Sequence, residues 1–203
     1  MKPMIDIDSL LTWGATYKKL DAGDVIFHEG SPSHFYYQLV SGKVKWVNIA
    51  DDGREFLQIL VNPGECFGEL PLLDGEPLAA SAIADTDAVI LRLHESAFHK
   101  MISENPELHF AFSRLMSQRL RFKFLIVKEM ATHDPEHHIS ALFNHFKNTE
   151  TNICTQCHKI NLTRQQIANM TGMRVETVIR AIRNLYNKGL LRIERGKIYL
   201  RYD

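Results

Sequence analysis

The sequence predicts an α+β chain: an antiparallel β-sandwich or barrel first, one long helix next, and a helix–turn–helix module with a basic hairpin last. Three observations carry this expectation. Short β-rich runs separated by glycine turns fill the first part of the chain. No Pro or Gly then interrupts Glu107 to Met130. From Leu162 onward, two capped amphipathic segments end in glycines and precede a basic β pattern. The 203 residues are 45% hydrophobic and 24% charged, the balance of a soluble globular protein. That balance excludes wholesale disorder, collagen-like repeats and a disulfide scaffold. No run approaches ~18 uninterrupted apolar residues, so no transmembrane helix and no membrane partner is expected. Met1 to Leu20 lacks a signal pattern, and the cysteines are only Cys66, Cys154 and Cys157. A cytoplasmic protein with reduced thiols is the expectation.

The strands are read in order as Val25–Phe27, Phe35–Val40, Val44–Ile49, Phe56–Val61 and Ala88–Leu93. Lys43-Val44-Lys45-Trp46-Val47-Asn48-Ile49 alternates with the two-residue period of a half-buried strand. Asp51-Asp52-Gly53-Arg54 supplies a hairpin turn and Asn62-Pro63-Gly64 another. The absence of helix–strand alternation argues against a doubly wound parallel sheet.

Glu95 to Glu104 reads as a short helix with Phe98, Met101 and Ile102 on one face, ended by Asn105-Pro106. The long helix follows. Leu108, Phe112, Leu115, Phe122, Ile126 and Met130 form one stripe; Met116, Leu120, Phe124 and Val127 form a second. A helix apolar on two sides must be covered on two sides, which predicts a homodimer through residues 106–131. His133-Asp134-Pro135 starts the next helix, to about Lys147, and is a candidate hinge. Lys147 to Lys159 is polar and irregular. The expected segments are 1–105 for the β domain, 106–131 for the long helix and 132–203 for the final module.

Charge separates the two ends. Lys159 to Asp203 holds ten basic and three acidic residues, net +7, so the remainder is −7. A basic module on an acidic body points to a polyanion, and nucleic acid is the first candidate. Thr163-Arg164-Gln165-Gln166 is a capping box. Ile167, Ala168 and Met170 form that helix's inner face, and Gly172 ends it. A second helix from Val175 to about Lys188 buries Val178, Ala181, Ile182 and Leu185. Its exposed face presents Arg174, Glu176, Thr177, Ile179, Arg180 and Arg183. Leu191 to Leu200 is a hairpin turning at Arg195-Gly196. This winged helix–turn–helix pattern predicts binding of double-stranded DNA. Arg can bond a guanine edge through two donors, and Glu can accept from cytosine.

Phe67-Gly68-Glu69-Leu70 with Ala79-Ala80, the long helix, Leu162 to Ala168 and Val175 to Arg180 together carry a family resemblance. Over nearly its full length the chain resembles CRP/FNR-family transcription regulators. The resemblance implies a cyclic-nucleotide-type, jelly-roll-like β-roll, a homodimer on a palindromic operator, and contacts with RNA polymerase. It places base readout on Glu176, Arg180, Val175 and Ile179. It places phosphate contacts on Thr163, Arg164, Arg174, Thr177, Arg195 and Lys197. Val175 matches the FNR branch, which implies a half-site like TTGA, although Ile179 replaces that branch's Ser.

The matching effector pocket comprises Gly68, Glu69, Leu70, Leu78, Ala79, Lys123 and Phe124. Cyclic-nucleotide binders of the family carry Arg and Ser or Thr where this chain has Leu78 and Ala79. Without them the charge-assisted bonds to a cyclic phosphate are lost, so cyclic AMP and cyclic GMP are not expected. An FNR-type iron–sulfur cluster needs several thiolates near the N-terminus, and no Cys precedes Gly23. Cys154-Thr155-Gln156-Cys157-His158 matches the covalent haem pattern, but lies in a polar loop with no export signal. Three readings of it stay open: chance, a zinc site with help from His137 or His138, and a dithiol switch. Non-covalent haem, with His28, His34, His94 or His99 as axial ligand, is a further alternative. No nucleophile–base pair, phosphate loop or paired-carboxylate motif indicates an enzyme.

Overall fold

The computed structural model describes residues 3–132 and 134–201. The chain divides into two compact units, Met1–Ser117 and Gln118–Asp203. In the first unit, helix Ile7–Thr12 (α1) precedes strands Thr16–Leu20 (β1), Val25–Phe27 (β2), Phe35–Ser41 (β3), Val44–Ile49 (β4), Glu55–Val61 (β5) and Cys66–Phe67 (β6). Helix Leu70–Asp74 (α2), strands Ser81–Ala84 (β7) and Ala88–His94 (β8), and helix Glu95–Glu104 (α3) follow. Pairing is antiparallel throughout, in two four-stranded sheets ordered β1-β8-β3-β6 and β2-β7-β4-β5.

One core cluster draws on both sheets: Phe27, Leu39, Trp46, Phe67, Leu78, Ala82 and Ile90 among others. A second joins Tyr36, Leu91 and Leu93 to Leu10, Phe98, Met101 and Phe112. Along β8, Ala88 and Ile90 join the first cluster while Leu91 and Leu93 join the second, the two-residue period of a strand. The sheet containing β8 is therefore covered on both faces, and β3 and β8 read as nearly continuous apolar runs. Gln38 is buried in this layer, where its side chain bonds the backbone N–H (3.0 Å) and carbonyl (2.8 Å) of Ile5.

The five strands expected from sequence are present. The Asp51–Arg54 turn joins β4 to β5, with Gly53 at φ 80°. The pattern did not reveal β1, β6, β7, α1 or α2.

Helix Pro106–Thr132 (α4) starts at Pro106, at the first helical position that proline tolerates. Phe112 and Ile126 are buried. Met130 was expected on the same stripe, but it is 50% exposed. The 18 residues between them are about five full turns, so Met130 shares the direction of Phe112. What it lacks is cover, because it lies in the last turn of α4 and borders an open cleft with Pro135, His138 and Met173. In the second stripe, Leu120, Phe124 and Val127 are exposed by 54%, 65% and 65%.

The second unit contains helices Pro135–Thr149 (α5), Arg164–Thr171 (α6) and Val175–Asn187 (α7), then strands Leu191–Glu194 (β9) and Lys197–Leu200 (β10). Asp134 caps α5 by accepting from the N–H groups of Glu136 and His137, while the predicted His133 start lies outside the described residues. Both bonds of the Thr163–Gln166 capping box are present on α6. Gly172 follows at φ 70°. Ile139, Leu142, Phe143 and Phe146 of α5 are buried, as are Ile167 and Met170 of α6 and Leu191, Ile198 and Leu200 of the hairpin. Arg195 and Gly196 have φ 47° and 75°, the paired positive angles of a type I′ hairpin turn.

Candidate DNA-reading face and effector region

The candidate reading face is set by helical periodicity. Val178, Ala181, Ile182 and Leu185 bury one side of α7. That leaves Glu176, Ile179, Arg180 and Arg183 exposed on the other. Glu176 and Arg180 are four residues apart, one turn on the same face. Val175 and Thr177 are half-buried in the first turn, and Arg174 is the exposed N-cap residue, making no side-chain cap bond. Glu136 of α5 braces α7 by accepting from Asn184 (2.8 Å) and Lys188 (2.6 Å). The Lys188 and Asn184 donors hold the Glu136 carboxyl below the usual carboxylate range.

Arg195 and Lys197 are exposed at the tip of the hairpin. Arg164 donates from Nη1 to the Gly196 carbonyl at 2.5 Å, tying the first turn of α6 to that tip. Its guanidinium therefore positions the wing as well as offering charge. The Thr163 hydroxyl oxygen accepts from the N–H of Gln166 and retains its own proton to donate. These expected DNA contacts thus lie on α6, α7 and the hairpin of a single unit.

The expected effector residues are divided between the units. In the first, Gly68 has φ 69°, and a Cβ there would stand 2.7 Å from the Phe27 ring and 3.2 Å from Tyr37. Phe27, Tyr37 and Phe67 form a ring cluster with centroids 5.4–6.0 Å apart. Glu69 is fully buried, Leu70 is half-buried, Leu78 is buried and Ala79 is exposed. Polar backbone groups around Leu78 and Ala79 already have partners. Leu78 donates to Ser31 O (3.0 Å) and accepts from Gly30 N–H (2.8 Å). Asn48 donates to Ala79 O (2.8 Å), and Trp46 Nε1 donates to Ala80 O (3.2 Å).

In the second unit, burial and the Arg119 charge pull the Lys123 ammonium down to about 8. Lys123 Nζ lies 5.8 Å from the Phe122 ring centroid, and Phe124 is exposed. Sequence reading missed Phe27, Tyr37, Trp46 and Asn48 as neighbours of the Gly68–Ala80 segment. Strand alternation marks Trp46 as inward-facing, but not the carbonyl that it meets.

The proposed haem ligands are mostly engaged in local structure. His34 Nδ1 lies 3.1 Å from Glu95, His94 caps α3, and His99 Nε2 donates to Leu72 O at 2.7 Å. His28 is exposed. Among the described residues no three His, Cys, Asp or Glu side chains converge as a metal site. The zinc set of Cys154, Cys157 and His158 with His137 or His138 is therefore not assembled. His158 adopts φ 57° at the end of the Cys turn, and its N–H bonds the Cys154 carbonyl. His137 instead approaches the buried Glu129 at 3.2 Å.

Comparison with known proteins places both halves. Residues 17–105 match the cyclic nucleotide-binding domain model, and residues 139–201 match the Crp-like helix–turn–helix domain model. The chain is 30% identical over 185 residues to a CRP-like cAMP-activated global transcriptional regulator of Mycobacterium tuberculosis, covering 89% of this chain and 81% of that one. A transcriptional regulator of the CRP/FNR family from Thermus thermophilus superposes with a TM-score of 0.69 at 27% identity, covering 92% and 94% of the two chains. The c-di-GMP-responsive global regulator CLP of Xanthomonas campestris shares the fold, with a TM-score of 0.75 at 17% identity, covering 97% and 100%. The two matched domains, a cyclic nucleotide-binding-type β domain and a Crp-like helix–turn–helix, are those of a transcription regulator, not of an enzyme. The chain belongs to the CRP/FNR family of transcription regulators.

Proposed function

We propose that the chain acts as a homodimer on a palindromic operator and that cyclic AMP and cyclic GMP are not its effectors. The observation that carries the DNA reading is the solvent face of α7, with Glu176 and Arg180 one turn apart over a fully packed inner face. Glu176, Arg180, Val175 and Ile179 read base edges in the major groove. Thr163, Arg164, Arg174, Thr177, Arg195 and Lys197 bind phosphates. The functional segments are residues 1–105, 106–131 and 132–203. The Lys147–His158 loop and the Asp51–Glu55 hairpin face RNA polymerase, by family resemblance.

Two features support a changed effector. Leu78 and Ala79 offer neither a cation nor a hydroxyl, and an anionic phosphate needs such donors. Nearby carbonyls are held by Asn48 and Trp46, and the Phe27 ring packs on Gly68. The second reading is that a non-nucleotide effector (non-covalent haem, a metal, or oxidation at Cys154 and Cys157) governs DNA binding. Solved regulators of this fold favour it in that their names are not confined to cyclic AMP: one is c-di-GMP-responsive, and another, CprK, is complexed with OCPA.

The test is fluorescence anisotropy of ligand-free protein on a symmetric TTGA-type duplex and a scrambled duplex, at two salt concentrations. Operator-selective, salt-sensitive binding that cyclic AMP leaves unchanged is the expected result. Selective binding that appears only with cyclic AMP would refute the effector part of the proposal.

A further inference from the structure

The loop between α5 and α6 has a construction that the DNA reading does not use. Ile153 and Ile160 form an isolated antiparallel bridge, and Asn161 N–H bonds Asn152 O at 2.8 Å, so the segment closes on itself. Cys154 and Cys157 sit at its tip. Cys157 N–H points at Cys154 Sγ, at 3.5 Å. Cys154 is half-buried, Cys157 is exposed and Cys66 is buried. The far side of the loop joins the wing. Ile160 N–H bonds Ile198 O (2.9 Å), Leu200 N–H bonds His158 O (3.1 Å), and Lys159 bridges Tyr199.

We propose that Cys154 and Cys157 form a redox-active dithiol that exchanges with small disulfides, and that its oxidation state is transmitted to β10 of the wing. Cys154 is the attacking thiol and Cys157 the resolving one. The asymmetry follows from the donors. The Cys157 N–H, then the Cys157 thiol and the Gln156 N–H, stabilise a thiolate on Cys154, and Lys159 adds a positive charge. They hold its ionisation below that of a free thiol, and the thiolate is the nucleophile.

In the first step the Cys154 thiolate attacks one sulfur of a small disulfide. A Cys154 mixed disulfide forms and a small thiolate leaves, taking up the proton that Cys154 lost. In the second, Cys157 gives its proton to solvent and attacks Cys154 Sγ. The Cys154–Cys157 bond forms and the second small thiolate leaves. The dithiol is thereby oxidised by two electrons and the small disulfide is reduced to two thiols. The closed pair restrains a loop whose other side is hydrogen-bonded to β10, so local opening there becomes rarer.

The proposal rests on and deepens the second reading, oxidation at Cys154 and Cys157, and does not depend on base readout by α7. The mass and exchange measurements use no DNA, so their failure is distinct from failure of the operator test. The experiment treats native full-length protein with bis(2-hydroxyethyl) disulfide and follows intact mass. Wild type should become about 2 Da lighter with no adduct left. Cys157→Ser should accumulate one mixed disulfide, mapped by peptide mass to Cys154. Cys154→Ser should react roughly tenfold more slowly, because its remaining thiol lacks the N–H donors. Amide exchange at Ile160 and Leu200 should slow in oxidised wild type. Equal rates in the two variants, or no internal disulfide in wild type, would overturn the dithiol. Unchanged exchange at Ile160 and Leu200 would overturn its link to the wing.

Discussion

Arg180 and Glu176 make no side-chain hydrogen bond to another described residue, so the donors and acceptors of both point to solvent at no internal cost. A bidentate Arg contact discriminates its base by about 1–3 kcal/mol. Arg180→Ala should therefore lower operator affinity by roughly tenfold to a hundredfold and relax selectivity at one base position, as competition against single-base variants would show. Lys197→Ala should weaken all duplexes alike and reduce the log–log salt slope by about one. A different residue sets a pH response. His138 is buried with no partner on Nε2 among the described residues, and burial, aided by the His137 charge, depresses its ionisation against the pull of Glu129. His145, stacked on Phe122, is depressed by burial too. The unfolded chain then binds more protons than the folded one below the ordinary value of 6.5. Stability is fully present above that pH and falls on acidification. Thermal melts at pH 7.5 and 5.5 should show this loss, and His138→Gln should show a smaller one. At this scale the exposed face of α7 and the cap of α6 were legible because Glu176, Arg180 and the capping pair are local in sequence. Phe27 over Gly68 and Trp46 on Ala80 were not, since a strand pattern gives the facing of a side chain but not its partner across the sheet.

The elements that sequence reading found are those whose signals are contiguous. A capping box, a glycine stop and a 3.6-residue apolar period define α6 and α7 without reference to any other part of the chain. The elements it missed depend on neighbours. Strand β1 is exposed at all but Leu20 and carries Lys18 and Lys19, as edge strands do. Strand β7 is Ser-Ala-Ile-Ala, a run of mostly small residues that is paired between β2 and β4 in the sheet but does not declare a β preference by itself. The capping signal makes a quantitative prediction. Thr163→Ala removes one half of the box and should cost about 1 kcal/mol, measured by urea unfolding. The β3–β4 turn makes a stronger one. Gly42 has φ 85°, and a Cβ there would lie 2.2 Å from Asp87 O and 2.8 Å from Ala88 Cα. Both obstacles are backbone, so Gly42→Ala should destabilise by more than the roughly 1–3 kcal/mol of an αL strain alone. Gly53→Ala, with a similar φ and open space around it, is the control that isolates the clash.

At the scale of the whole molecule, the order of parts was legible because each part has its own period: two for the strands, 3.6 for the helices. The long helix predicts more than its own existence. Leu120, Phe124 and Val127 recur at four and three residues, so they form one stripe, and each is more than half exposed in the single chain. Burying an apolar side chain of this size is worth about 1.5–3 kcal/mol. A twofold axis along the stripe counts each residue twice, once per copy. Phe124→Glu should then lose at least about 3 kcal/mol of association, a rise in the dimer dissociation constant of at least about a hundredfold. Sedimentation equilibrium should find wild type as a dimer at micromolar concentration and the variant as a monomer. The circular dichroism of the variant should be unchanged, because Phe124 is 65% exposed and contributes little to the fold of one chain. The variant should also bind a single half-site as well as wild type does, yet lose its preference for the full palindrome, because only a dimer engages both half-sites. A wild type that sediments as a monomer, or a Phe124→Glu variant that stays dimeric, would place the dimer axis elsewhere or remove it.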